Sequence, residues 1–217
     1  MGNRISESNL IQNYTVLFQN INKQGVIQTK LAQYGYDDDA ISQGNALFND
    51  LLAKYNAKHT AKAQQTSAYA TFKKEFINVK TTYSLDRKKA KIIYKKQPVI
   101  LKNLSVTGKT PLQIANLLDI IHWFYNSLNN NPALLQPLQQ LQINPQHITT
   151  QLANINKVKQ AYAAYIQEKG ESQQATLNKN KAFNNMAQWV SAFYNVAKIA
   201  LYDKPQLLES IAKLIPS

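Results

Sequence analysis

Residues 69–94 read YATFKKEFINVKTTYSLDRKKAKIIY, and residues 176–201 read TLNKNKAFNNMAQWVSAFYNVAKIAL. In the first stretch the apolar side chains Tyr69, Phe72, Phe76, Val79, Tyr83, Ala90 and Tyr94 recur every three or four residues. That spacing puts them on one face of an α-helix. The second stretch lies 107 residues further on and keeps the pattern: Phe76 falls on Phe183, and Ala90-Lys91-Ile92 falls on Ala197-Lys198-Ile199. Extended in both directions, the register holds without a gap from about Asn9 to Leu104. Asn22 matches Asn129, Ile41 matches Ile148, Asn49 matches Asn156, Tyr55 matches Tyr162 and Pro98 matches Pro205. An internal repeat fixes architecture before any single element is considered. It also supplies an internal control, because what both copies keep belongs to the scaffold and what one copy has alone is a candidate for function.

The run around the first stretch has neither Gly nor Pro from Asn45 to Gln97. One reading is a single helix of roughly 58 residues, about 87 Å long at 1.5 Å per residue. The other is a helical hairpin turning near His59 to Gln65, which Gly170 favours in the second copy. Equal length and unbroken phase favour the continuous helix. Before it, the spacing predicts helices over Ile5 to Ile21 and Val26 to Tyr34, with Gly35 as the stop. In the second copy, Thr110-Pro111 opens a helix over Leu112 to Leu128, Ala133 to Leu141 is a short one, and Asn144-Pro145 starts the long run. Pro98 and Pro205 end the long helices, with a short helix after each. Ile92 and Ile199 lie off the main apolar stripe, and burial against another helix is expected for both.

The fold class is all-α, since no run alternates with period two over strand length. The expected architecture is two tandem pseudo-symmetric helical repeats, 1–107 and 108–217, packed as one unit. They would form an antiparallel helical bundle or a long coiled-coil-like pair. Gly and Pro are scarce, at 6 and 7 of 217 residues, in keeping with helix.

Several kinds of site find no support. There is no Cys, which removes disulfides and thiolate chemistry. No apolar stretch is long enough for a membrane-spanning helix. The N-terminus lacks the layout of a signal peptide, and a cytoplasmic location is the expectation. Met1-Gly2-Asn3-Arg4-Ile5-Ser6 fits the loose myristoylation pattern, but no polybasic cluster stands beside it. Asp37-Asp38-Asp39 reads as a helix cap, because its counterpart Asn144-Pro145-Gln146 is a plain helix start. Gly108-Lys109-Thr110 resembles the tail of a phosphate-binding loop, yet Asn103 stands where that motif needs Gly. His59, His122 and His147 share no ligand spacing, and surface or cap roles are expected for them. Trp123-Phe124-Tyr125 and Trp189 through Tyr194 read as core. No catalytic, cofactor-binding or metal-binding residue is assigned, no cofactor is expected, and a small-molecule ligand is not indicated.

One feature is asymmetric. Net charge is +13, with +9 in residues 1–107 and +4 in 108–217. Ten basic residues lie between Lys73 and Lys102, opposed only by Glu75 and Asp86. On a helical wheel Lys73, Lys80, Arg87, Lys88, Lys91 and Lys95 form a stripe beside the apolar face. Their counterparts are Asn180, Ala187, Tyr194, Asn195, Lys198 and Tyr202, so the scaffold does not require the stripe. Such a stripe suits a polyanion: a phosphate backbone, an anionic surface or an acidic partner. The plainer account is a solvated flank that keeps the protein in solution.

The segment Trp189-Val190-Ser191-Ala192-Phe193-Tyr194-Asn195-Val196-Ala197-Lys198-Ile199-Ala200-Leu201-Tyr202-Asp203-Lys204-Pro205-Gln206-Leu207-Leu208-Glu209 resembles a recurring ending in uncharacterised bacterial all-helical repeat proteins of unassigned function. Those also pair a Phe-Tyr first helix (Phe124-Tyr125 here) with a long Ala-rich helix. Where they have Gly near the end, this chain has Ala212. The resemblance implies a helical repeat and carries over no catalytic residue. The sequence reading is therefore a non-enzymatic scaffold or interaction protein, with a protein partner or self-association. The alternative is a sequence-tolerant nucleic-acid or other polyanion binder using the Lys73–Lys102 stripe.

Overall fold

The computed structural model describes residues 5–212. Of the myristoylation pattern Met1 to Ser6, residues 1–4 therefore lie outside the described residues. The chain runs α1 (Glu7–Lys23), α2 (Gly25–Ala32), α3 (Asp38–Ile93), α4 (Pro98–Asn103), α5 (Ile114–Asn129), α6 (Pro132–Leu135), a 3₁₀ turn (Gln136–Leu141), α7 (Pro145–Ala200) and α8 (Pro205–Ala212). Among the described residues there is no strand, and no helix is long and apolar enough to cross a membrane.

The long run is one continuous helix in both copies. α3 and α7 have 56 residues each, and both ends are offset by 107, from 38 to 145 and from 93 to 200. The hairpin alternative is not realised, and Gly170 sits inside α7 without interrupting it. Both starts are capped as their residue types predict. Asp37 Oδ1 accepts from the Ala40 N–H at 3.0 Å, and Asn144 Oδ1 accepts from the His147 N–H at 2.8 Å. Pro98 and Pro205 begin α4 and α8, where a missing N–H costs nothing.

The boundaries differ from expectation in two places. α5 starts at Ile114 rather than Leu112, and Leu112 is fully exposed. The segment after it is one α-turn followed by a 3₁₀ turn, because Pro137 has no N–H to continue an α ladder. Gln142 then adopts φ 64°, the left-handed conformation that Gly35 adopts (φ 86°) 107 residues earlier. In both turns the following N–H reaches back five residues: Tyr36 to the Leu31 carbonyl at 3.1 Å, and Ile143 to the Leu138 carbonyl at 3.2 Å.

The chain divides into two compact units. Unit 1 is Met1–Lys62 with Glu171–Ser217, and unit 2 is Ala63–Gly170. The cuts fall inside α3 and α7, and the sequence-repeat boundary at 107/108 lies within unit 2. Each unit thus draws helices from both halves of the sequence.

Unit 1 packs Tyr14, Leu17, Phe18 and Ile21 of α1 and Ile27 and Leu31 of α2 against Ile41, Phe48 and Leu51 of α3. Met186, Val190, Phe193 and Ala197 of α7 close the core. Its centre is an aromatic stack. Phe48 stacks on Phe18 (5.6 Å between centroids), Phe18 on Trp189 (5.5 Å) and Trp189 on Phe193 (5.2 Å). Tyr36 meets the last two rings edge-on. Gly44 makes room for this stack, since a Cβ there would lie 2.6 Å from Trp189 Cε2. Lys179 is buried at the position equivalent to Phe72 and pairs with Glu7.

Unit 2 buries Phe72, Val79, Tyr83, Ala90 and Tyr94 against Leu117, Ile121, Phe124, Tyr125 and Leu128 of α5. Leu138, Ile143, Ile148, Ile155 and Val158 complete that core. Two expectations about packing are corrected. Ile92 and Ile199 are not buried against a second helix; they are 68% and 58% exposed. The period that buries Tyr83, Ala90 and Tyr94 turns Ile92 to the opposite side of α3, where no described element covers it. Trp123 is likewise 54% exposed, and its indole N–H donates to the Asn103 carbonyl at 2.7 Å. Phe124 and Tyr125 are core, as expected.

Candidate functional site

All six residues of the basic stripe lie in unit 2. Counting 63–170, that unit has 14 Lys/Arg against 4 Asp/Glu and so carries +10 of the total +13. Unit 1 has 11 against 8. The charge asymmetry is therefore sharper between the compact units than between the sequence halves.

The stripe residues separate into three groups. Lys73, Lys80 and Lys88 are exposed on α3, and Lys91 is half-buried beside them. Lys95 lies just beyond the end of α3, in the turn that leads to α4, so its direction is set by that turn and not by the wheel. Arg87 stands apart. Its side chain is turned against the 107–108 loop, where Nη2 donates to the Gly108 carbonyl at 2.6 Å and the Thr107 carbonyl at 3.4 Å. It also lies beside the buried Tyr83 phenol. Burial pushes that phenol's pKa up, and the Arg87 charge partly offsets the rise. The geometry thus gives Arg87 a structural partner, which its place on the wheel did not reveal.

The lysines have no such partners. Among the described residues, Lys73, Lys74, Lys80, Lys88, Lys91 and Lys95 have no carboxylate within ion-pair distance. Lys89 is the exception in this segment, reaching Asp86 Oδ1 at 3.3 Å. An unpaired row of ammonium groups on a rigid helix is an electrostatic surface whose field sums outward. What it can do chemically is attract and hold anions at many points, with strong dependence on ionic strength.

Behind this surface is a polar cluster that the sequence reading did not identify. Asp86 is 1% exposed. Its Oδ2 accepts from Tyr125 Oη at 2.8 Å, and His147 Nε2 lies 2.5 Å from the same oxygen, within hydrogen-bond distance. His147 is accordingly not a surface or cap histidine in its side chain, although its backbone N–H belongs to the α7 cap. Burial raises the Tyr125 pKa well above its ordinary value, and the neighbouring Asp86 charge and hydrogen bond add to the rise. The phenol therefore stays protonated and stays a donor. The enclosed carboxylate links α3, α5 and α7, and its role in the fold is cross-linking. The signal lay in the internal repeat: the positions equivalent to Asp86, Tyr125 and His147 are Phe193, Phe18 and Ala40, all non-polar. A carboxylate at a position where the other copy has Phe, and in phase with Tyr83 and Ala90, marks a buried polar contact.

His59 is exposed, with its ring against Tyr55 at 4.6 Å between centroids. Among the described residues, no three His, Asp or Glu side chains converge in a way that could hold a metal ion. Comparison with protein-family models, curated proteins and solved structures finds no match.

Proposed function

We propose that this protein is a non-enzymatic helical interaction protein whose working surface is the lysine face of unit 2, and that this face binds an anionic partner. The observation that carries the reading is the concentration of charge: +10 of +13 in one compact unit, where Lys73, Lys74, Lys80, Lys88 and Lys91 of α3 have no carboxylate within ion-pair distance among the described residues. Pairing those lysines with carboxylates would have been the simplest way to neutralise a purely structural helix surface. Two tandem pseudo-symmetric repeats, packed as an antiparallel helical bundle, form the scaffold in this proposal. The equal, equally offset α3 and α7 support it. Kinship with bacterial helical repeat proteins of unassigned function, suggested by the 189–209 segment, belongs to the same proposal, as does a cytoplasmic location.

The test is binding of the purified protein to heparin and to single- and double-stranded nucleic acid across a salt series. The control is the variant Lys80→Glu/Lys88→Glu/Lys91→Glu/Lys95→Glu, which leaves Arg87 and its loop contact intact. Salt-dependent binding that disappears in the variant supports the reading. Binding to none of these, nor to any anionic surface, at low ionic strength refutes it. A protein–protein reading is favoured by a different observation: Leu177, Ile199 and Tyr202 are 62%, 58% and 80% exposed in unit 1. Self-association through them would survive the charge reversal.

A further inference from the structure

The outward side of α3 in unit 2 is not purely basic. Ile77, Leu85 and Ile92 are 49%, 54% and 68% exposed. At about 100° per residue they fall within an arc of about 80°, roughly opposite the buried row of Phe72, Val79, Tyr83 and Ala90. Lys74 and Lys88 share that arc, and Lys73, Lys80 and Lys91 border it. From Ile77 to Ile92 the row extends about 22 Å along the helix. Ile77, Leu85 and Ile92 thus form an exposed apolar row rimmed by lysines, the pattern that marks a protein or membrane contact. At the equivalent positions of α7 the chain has Asn184, Ala192 and Ile199, so two of the three belong to the basic copy alone.

We propose that this face docks onto an anionic membrane surface, with Lys73, Lys74, Lys80, Lys88 and Lys91 against lipid phosphates and carboxylates and Ile77, Leu85 and Ile92 in the headgroup–acyl boundary. The inference rests on the reading that the lysine face meets an anion. Two observations select lipid over nucleic acid. First, aliphatic side chains gain nothing from a phosphate backbone, whereas the interfacial region of a bilayer takes up apolar side chains to a depth of about 5–10 Å. Second, Lys outnumbers Arg 23 to 2, and the arc carries no aromatic ring. Phosphate forks and base stacking call on Arg and aromatic residues, whereas a diffuse anionic surface is served by point charges. A second copy of the chain is disfavoured by like charge, since unit 2 alone carries +10.

The experiment is co-sedimentation of the full chain with vesicles of phosphatidylcholine alone and of phosphatidylcholine with phosphatidylserine. It is run for the wild type, for Lys80→Glu/Lys88→Glu/Lys91→Glu and for Ile77→Ser/Leu85→Ser/Ile92→Ser, with circular dichroism to check folding. Should the triple apolar variant misfold, Ile92→Ser alone replaces it. The expected result is binding to the phosphatidylserine vesicles only. Each lysine lost near an anionic surface costs about fivefold, so the charge variant should bind more than a hundredfold more weakly. The apolar variant should lose at least tenfold while its affinity for heparin is unchanged. Vesicle binding unaffected by the apolar variant overturns the inference and leaves the anionic reading standing. So does salt-sensitive nucleic-acid binding, or capture of an acidic polypeptide, without vesicle binding. Binding to no anion at all removes both.

Discussion

Gly44 and Gly170 each sit inside a 56-residue helix, and the same substitution should move stability in opposite directions at the two sites. Replacing a mid-helix Gly by Ala removes backbone freedom from the unfolded chain and gains about 0.5–1 kcal/mol where the new methyl is free. Gly170 has open space around the position of an added Cβ, so Gly170→Ala should stabilise by about that amount. At Gly44 the same Cβ would lie 2.5 Å from Trp189 Cη2 and 2.6 Å from Cε2, against a comfortable carbon separation of about 3.5–4.0 Å. The indole must retreat by about 1 Å. It is held between Phe18 and Phe193, whose centroids lie 5.5 and 5.2 Å away, so the shift spreads through the stack. Overpacking of this kind costs about 1–3 kcal/mol, and disturbed ring pairs add about 0.5–1.5 kcal/mol each. Set against the backbone gain, Gly44→Ala should destabilise by about 1–5 kcal/mol, which separates the two variants by about 2–6 kcal/mol. Urea unfolding followed by circular dichroism reads this as a change in midpoint at constant slope. In a Trp189→Leu background the penalty at Gly44 should vanish, leaving the helix gain. Stabilisation of both single variants would refute the ring contact. So would a Gly44→Ala penalty that persists after the indole has been removed.

Gln142→Gly should stabilise by about 1 kcal/mol in the same unfolding assay, because Gln142 holds φ 64°, where Gly carries no Cβ penalty. Tyr125→Phe leaves the buried Asp86 carboxylate one donor short and should cost about 1–3 kcal/mol at neutral pH. The Tyr125 pKa is raised in the fold, so its contribution is complete below about pH 10, the unfolded value, and declines as pH rises beyond it. The variant should therefore show a shallower alkaline loss of stability in a pH series. Asp203 runs the other way: its hydrogen bond from Lys30 at 2.5 Å lowers its pKa. The pair's stabilisation is present above the ordinary aspartate range and lost as pH falls through the depressed value. An NMR titration should show the Asp203 pKa returning upward in Lys30→Ala.

The two long helices were legible locally. Uninterrupted three-and-four spacing, caps at Asp37 and Asn144, and prolines at 98 and 205 specify where α3 and α7 start and stop. Each signal acts within a few residues, on N–H groups, φ angles or one helix face. The stripe was legible for the same reason, as a matter of period and charge. Turn detail was less so: the 3₁₀ segment depends on how Pro137 is accommodated, and α5 starts at Ile114, two residues after the expected Leu112.

What the sequence by itself determined is therefore helix, period, repeat and net charge, all properties of neighbours along the chain. Tertiary structure alone decided how the helices are shared between two compact units cut inside α3 and α7. It decided that Arg87 closes a loop while Lys80, Lys88 and Lys91 have no carboxylate partner among the described residues, that Asp86 gathers Tyr125 and His147, and that Ile92 meets solvent. The physical reason is common to all four. A helical period says which side chains share a face, but burial and pairing depend on segments tens of residues away. Tyr125 and His147, for example, are 39 and 61 residues from the Asp86 they bond.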